Sequence, residues 1–312
     1  MVRRRLTLWL LLACACPALG GERPSLDAAL RDLKVPPPWL DDVPVDFDTS
    51  RPWNKAWDCI EQLIATAEVA DRRKAIKLAY VYQKAGRAKA GYPAAVYFLT
   101  GQVAWALVEH QKLSASNNAG HMRAASCYVH FGEHDKALAE LAKAKQGLPA
   151  PPWRVFQEAR VLEAVGDVYA DRGDVARARE YYRQAMARFR SARLPSRQKH
   201  LVPRSVQRVE ARLDLLGRAA LRTARLRDGT YSGTGYGHSG DVRAHVIVRG
   251  GRIADVRLEH GEKADLGAKR ILPQRILEWQ SIEVDGVTGA TTTSHAILTA
   301  TYRALKQAAT PE

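Results

Sequence analysis

Near the C-terminus the chain reads Asp285-Gly286-Val287-Thr288-Gly289-Ala290-Thr291-Thr292-Thr293-Ser294, and helical spacing begins at His295. Hydroxyls at the start of a helix can do two kinds of work. They can accept hydrogen bonds from the first free amides, the capping role of Ser and Thr. One can instead be esterified, but a threonine alcohol is a weak nucleophile at neutral pH. A separate enzyme with a base or metal must then activate it. Gly289 and Ala290 leave the corner uncrowded for such an enzyme, and the first turn of the following helix favours an attached anion. Asp285 suits either a turn-stabilising carboxylate or a ligand for the modifying enzyme's metal.

Upstream, Gly235-x-Gly237-x-x-Gly240 has the spacing of a dinucleotide fingerprint. That fingerprint needs a strand before it and a helix after it. Here the strand-like run DVRAHVIV follows, so the dinucleotide reading fails. Gly233, Gly235 and Gly237 still permit close backbone approach to a flat ligand. Tyr231 and Tyr236 flank them and suit either stacking on a ring system or the surface of a small sheet. The sequence has no nucleophile elbow and no nicotinamide fingerprint. Among the nine histidines His130 and His134 stand at His-x-x-x-His spacing, with His130 three residues after Cys127, but no dedicated zinc site is expected.

Taken in order, the Asp228-Gly-x-Tyr-x-Gly start, the Gly-x-Gly pair and a hairpin ending at His260 resemble the FMN-binding domain family. Gln280-Ser281, Val284-Asp285 and Thr288-Gly289-Ala290-Thr291-x-Thr293-Ser294 continue the likeness over the last quarter of the chain. Such domains occur in the sodium-translocating NADH:quinone reductase and in the related Rnf complex. The resemblance implies FMN joined through its phosphate to Thr291, with Asp285, Thr288, Gly289 and Ala290 recognised by a flavin transferase. It also implies redox donor and acceptor partners at a membrane. Gly233, Gly235, Gly237, Tyr231, Tyr236, Thr293 and Ser294 are the candidate cofactor contacts, with Thr293 and Ser294 also read as helix caps. Many members carry a Glu-Thr-x-Gly type stretch after the hairpin, whereas this chain has Glu262-Lys263-Ala264-Asp265.

The rest of the chain must position this corner. Its 312 residues suffice for two domains. Residues 1–20 have the layout of a signal peptide: Arg3, Arg4 and Arg5, an apolar run from Leu6 to Ala15, then Ala18-Leu19-Gly20. Export to the periplasm or beyond follows, with lipidation at Cys14 as a second option. Residues 21–52 are a Pro- and Asp-rich lead expected to run extended over the surface. Residues 53–202 are Ala-rich and helical, with the uncharged stretch from Ala90 to Val108 read as a buried helix pair.

Within that region, Leu162, Gly166, Tyr169, Gly173, Ala178, Tyr182 and Ala185 stand at tetratricopeptide offsets. Ala125, Tyr128, Gly132, Ala137, Leu141 and Ala144 form a similar set, and Tyr82 and Gly86 mark a fainter one. The fold class expected is therefore an all-α tetratricopeptide-like array, suited to a peptide or protein ligand, followed by a small α+β domain. Residues 203–227 are read as a capping helix running from Ser205 to Leu226, and 228–312 as the FMN-binding domain. Cys59 and Cys127 remain after export, and in an oxidising compartment they either pair or stay free.

The net charge of +15 admits anionic partners. Its arginines are dispersed, densest from Arg204 to Arg227, and no nucleic-acid module accompanies them, so they are read as solvated helix faces. The sequence supports an exported electron-transfer flavoprotein, with an exported adaptor whose C-terminal module is non-redox as the alternative.

Overall fold

The computed structural model describes residues 25–310, apart from 67, 115–117, 223, 238–239, 263–264 and 288–289. The leader with Cys14, and the motif residues Thr288 and Gly289, lie outside the described residues. The lead is not simply extended. Helix α1 (Leu26–Arg31) and a 3-10 turn (Pro38–Leu40) bury Leu26 and Leu40. Lys77 Nζ donates to Leu40 O at 2.9 Å, and Arg87 Nη2 donates to the carbonyls of Ser50 and Arg51 at 2.7 and 2.8 Å. Buried leucines and charge-assisted bonds to backbone hold this segment where composition alone suggested a loose strap.

Helices α2 (Trp53–Ala65), α3 (Val69–Lys84), α4 (Tyr92–Leu99) and α5 (Val103–Ser114) follow. The Ala90–Val108 stretch is the buried pair α4/α5. Among the described residues no helix is long and apolar enough to cross a membrane. Next come α6 (Asn118–His130), α7 (His134–Gln146), α8 (Arg154–Arg172), α9 (Val175–Ser191) and α10 (Leu201–Leu215). Gly132 and Gly173, at φ 76° and 84°, turn α6 into α7 and α8 into α9. A Cβ on Gly166 would lie 2.6 Å from the Tyr182 ring, so the tyrosine fills the space that glycine leaves. The Tyr82 set is used differently: Tyr82 donates its hydroxyl to Arg51 O at 2.6 Å and fastens the lead. Cys59 on α2 and Cys127 on α6 are free thiols. Burial among apolar neighbours pushes the Cys127 thiol far up.

The capping helix is shorter than expected. It stops at Leu215, and a 3-10 turn (Arg218–Leu221) replaces its second half. The cause is Gly217, where a Cβ would lie 2.7 Å from the Tyr302 hydroxyl; the chain bends there to seat the C-terminal domain. That domain begins with β1 (Arg225–Leu226), then β2 (Gly229–Tyr236), β3 (Asp241–Arg249) and β4 (Arg252–His260). Strands β2-β3-β4 form an antiparallel meander. Its β3–β4 turn is Gly250-Gly251, whose N–H groups both donate to the Asp228 carboxylate at 2.9 Å. Val242, Ala244, Val246 and Val248 alternate into the core as the sequence predicts.

Helix α11 (Ala268–Trp279) runs through Pro273 rather than starting or ending there. Asp265 anchors its start, accepting from Gly267 N at 3.0 Å and Lys269 N at 3.3 Å. Helix α12 (Thr291–Ala308) lies across the sheet, and β5 (Ala309–Thr310) pairs with β1 to close the domain.

The contact that sets α12 is unusually close. A Cβ on Gly233 would lie 2.1 Å from Ala300 O, and one on Gly235 would lie 2.1 Å from Ala296 O. Ala296, Ala300 and Ala304, four residues apart, present small side chains along one line of the helix. Backbone thus packs on backbone, and neither partner can retreat by a rotamer change. Gly235→Ala should therefore destabilise the protein by about 3 kcal/mol or more, at or above the usual range for overpacking. Urea unfolding would check this, and an unchanged midpoint would show that the helix does not sit this close.

Candidate functional site

The site is built at the end of β2 and the start of α12. Thr291 is the first residue of α12, and Ala290 occupies the N-cap with no side-chain hydrogen bond. The two hydroxyls expected to cap the helix are already inside it. Thr293 Oγ1 donates to Glu262 Oε2 at 2.8 Å, and Ser294 Oγ accepts from Val287 N at 3.0 Å. The helix starts four residues earlier than periodicity suggested, so these side chains tie the helix to its approach instead of capping it. Among the described residues no side chain caps this helix N-terminus, whose first-turn N–H groups and dipole suit an anion.

Two neighbours shape the rim. Glu262 also lies against Gly237, where a Cβ would come 2.4 Å from Oε1. The carboxylate therefore joins the end of β2 to the first turn of α12. This is the stretch in which the chain departs from the Glu-Thr-x-Gly pattern, and an acid just after a strand end was the signal available for it. Asp285 sits half-buried in the approach to α12, and its carbonyl accepts from Arg275 Nη1 at 2.6 Å.

The aromatic candidates separate. Tyr236 ends β2 near Glu262, Arg204 and Arg208, and burial is the main cause that raises its phenol. Tyr231 is at the other end of the strand, with its hydroxyl donating toward the carbonyls of Arg227 and Asp228 at 3.1 and 3.3 Å. Ser232 beside it bonds Gln307, so this end of β2 faces the last turn of α12, about 24 Å along the helix from Thr291. Tyr231 is therefore a structural residue, not a neighbour of the corner. Gly233 and Gly235 likewise admit α12, and the flat surface they approach is a helix.

The arginines that sequence reading assigned to solvent include two that pair with acids of α8, Arg212 buried and Arg208 half-buried. Arg208 Nε and Nη2 reach Glu163 at 2.6 and 2.5 Å, and Arg212 Nε reaches Asp167 at 2.8 Å, with Arg212 only 3% exposed. Tyr182 adds a hydrogen bond to Asp167 at 2.8 Å. Their four-residue spacing, with Arg204 one turn before, was the missed sign that one face of α10 is committed. On the opposite side of α10, Arg303 of α12 reaches Asp214 at 2.8 Å and Thr234 O at 2.7 Å. The helical array and the C-terminal domain are thus joined by charge as well as by the Gly217–Tyr302 contact. His295, one turn after Thr291, is held neutral: burial first, then Arg212, Arg218 and Arg208, bring its pKa down to about 3.

The arrangement is an α+β unit with the start of a helix beside a glycine-rich strand end. The family model of the FMN-binding domain matches residues 237–306, and the C-terminal quarter of the chain is such a domain. A curated relative, the NADH:acrylate oxidoreductase of Vibrio harveyi, is 31% identical over 77 residues. That segment is 24% of this chain and 8% of the relative, so the chain spans a small fraction of the relative's length. No solved structure matches the chain. The described residues of this corner fit FMN: first-turn amides of α12 for a phosphate, and the Tyr236 ring at the rim.

Two histidines set a pH limit on stability. His110, buried beside Arg123, is also lowered to about 3 from an ordinary value of 6.5, as is His295. Between those values the unfolded chain binds protons that the folded one refuses, so stability falls as pH drops from about 6.5 toward 3. Denaturant midpoints at pH 7 and pH 5 should differ, and His295→Asn should narrow the gap. An equal gap in the variant would show that His295 titrates normally.

Proposed function

We propose that this chain is an exported electron-transfer flavoprotein carrying FMN covalently on Thr291. The observation that carries the reading is the start of α12 at Thr291 behind a side-chain-free cap, inside a segment that matches the FMN-binding family. The motif Asp285-x-x-Thr288-Gly289-Ala290-Thr291 supplies the recognition pattern for a flavin transferase. The relative's name, an NADH:acrylate oxidoreductase, supports a redox setting for a domain of this kind.

The bond is a phosphoester: the Thr291 hydroxyl loses its proton, and its oxygen displaces a nucleoside monophosphate from the flavin-side phosphorus of a flavin dinucleotide held by the transferase. The net addition is FMN less one water. The bare amides of the first turn of α12 hold the resulting anion, and no carboxylate of this chain need be protonated to accept it. Glu262 fixes that turn through Thr293, and the glycine contact on β2 fixes the helix as a whole. Tyr236 provides an apolar surface at the rim. Bound FMN supplies one- and two-electron redox chemistry, and the protein supplies position and surroundings. The tether substitutes effective concentration for affinity where free FMN is scarce. The hairpins α6/α7 and α8/α9, read as tetratricopeptide-like, serve to dock a protein partner that donates or accepts electrons.

Coexpression with a flavin transferase and an export signal provides the test. The denatured protein should retain flavin fluorescence in a gel, and Thr291→Ala should abolish it while leaving the fold intact by circular dichroism. Fluorescence that survives in the alanine variant would place the bond elsewhere. A folded but non-fluorescent wild type would favour a non-redox adaptor.

A further inference from the structure

At the end of the C-terminal domain away from Thr291, backbone contacts gather several basic segments. Arg249 and Arg252 are partners across the Gly250-Gly251 turn that joins β3 to β4. That turn lies against β1 and the residues after it. Its two amides donate to the Asp228 carboxylate at 2.9 Å, and a Cβ on Gly251 would lie 3.7 Å from Leu226 O. Leu226 stands between Arg225 and Arg227. Arg227 in turn holds the last turn of α12, beside Lys306: its N–H donates to Ala308 O at 3.0 Å and its Nη2 to Gln307 O at 2.9 Å. The C-terminus of α11 joins the same end. The Gln280 side chain accepts from Ile253 N at 2.9 Å and donates to Ile253 O at 3.0 Å. Trp279 and Arg252 are the residues that immediately precede the two partners of this contact.

Arg225, Arg227, Arg249, Arg252 and Lys306 are all exposed. Among the described residues none of them lies within ion-pair distance of an acid. The acids within these segments are Asp228, whose carboxylate is taken by the two turn amides, and Glu278 beside Trp279. Trp279 is 56% exposed, and among the described residues no other Trp, Tyr or Phe is exposed. Uncompensated cations repel one another, and an indole left in water forgoes the burial that its ring would gain. Both find partners at the boundary of an anionic bilayer. Lys and Arg are attracted there by lipid phosphates, and Trp sits at the level of the headgroups. An acidic protein would answer the cations alone; the indole among them favours lipid.

We propose that this end of the domain docks on an anionic lipid bilayer, with the cations at the headgroup phosphates and Trp279 in the interface. Each cation near such a surface contributes about fivefold in affinity, so several together hold a chain that no single contact would. Helix α12 runs from the corner to this end, so docking sets Thr291 up to about 25 Å from the lipid-facing residues. The inference stands on these contacts and does not require Thr291 to carry FMN.

Vesicles of phosphatidylcholine alone, and of equal parts phosphatidylcholine and phosphatidylglycerol, test it. The chain used is the one that removal of residues 1–20 leaves, because the apolar leader would itself enter a bilayer. In a sedimentation assay it should bind the mixed vesicles and not the neutral ones, and added salt should release it. Arg249→Gln combined with Arg252→Gln should weaken binding about twentyfold, from about fivefold for each charge. Arg257→Gln removes an exposed cation already paired with Asp255, and should cost far less. Bromine-labelled lipid should quench tryptophan emission on binding, and Trp279→Phe should remove most of that quenching. A tryptophan with a merely structural role would not give this signal. All these side chains are exposed, so each variant should keep the wild-type circular dichroism and melting temperature. Equal binding to neutral vesicles, quenching that survives Trp279→Phe, or an equal loss from Arg257→Gln would each overturn the proposal. Binding to polyglutamate but not to mixed vesicles would also overturn it and assign this end to an acidic protein.

Discussion

The backbone contact between β2 and α12 governs the rest of the C-terminal domain. With Gly233 and Gly235 each admitting a carbonyl of the helix where a Cβ would stand, α12 can occupy one depth and one register. The sheet then needs only its other small and β-branched residues, Val242, Ala244, Val246 and Val248, to complete the core under it. The N-terminus of α12 follows from that register, and so does the place of Thr291. Glu262 and Ser294 refine the approach by two hydrogen bonds, but neither could set the helix if the glycines did not.

The second constraint is the charged seam. Glu163, Asp167, Arg208 and Arg212 bury ions between α8 and α10, and Arg303 carries the connection through Asp214 to α12. A buried ion pair gives little net stability over an apolar equivalent, but losing one partner costs about 3–5 kcal/mol. Its effect here is orientation: α10 is fixed to the array on one side and to the flavin-binding domain on the other. The corner that holds Thr291 is consequently carried on a domain fastened to α10.

Much of this was legible before any coordinates. Alternation in DVRAHVIV and the Arg249-Gly250-Gly251-Arg252 turn specify the hairpin, because a period of two admits only one buried face. The ordered motif from Asp228 to Ser294 marked the flavin-binding domain, and the small-residue pattern marked close helix pairing at Gly166 and Tyr182. Three features were hidden for physical reasons. Periodicity runs smoothly through Gly217, so the bend that seats Tyr302 cannot be seen from one helix alone. Hydroxyls read equally well as caps or as side-chain ties, and only the true helix start separates them. Arginine on an amphipathic face reads as solvated until its partner, forty-five residues away in the case of Glu163, is known. Tyr231 and Tyr236 are five residues apart in sequence, yet strand geometry puts them at opposite ends of α12.

The central claim concerns one oxygen among several in a short segment. Cleavage after Arg275 and Arg303 releases a single peptide that contains Thr288, Thr291, Thr292, Thr293 and Ser294. Fragmentation mass spectrometry of that peptide, from protein coexpressed with a flavin transferase, locates the adduct directly. The proposed function predicts FMN less water on Thr291 alone. An adduct on any other hydroxyl of the peptide, or an unmodified peptide from a chain exposed to an active transferase, would contradict it.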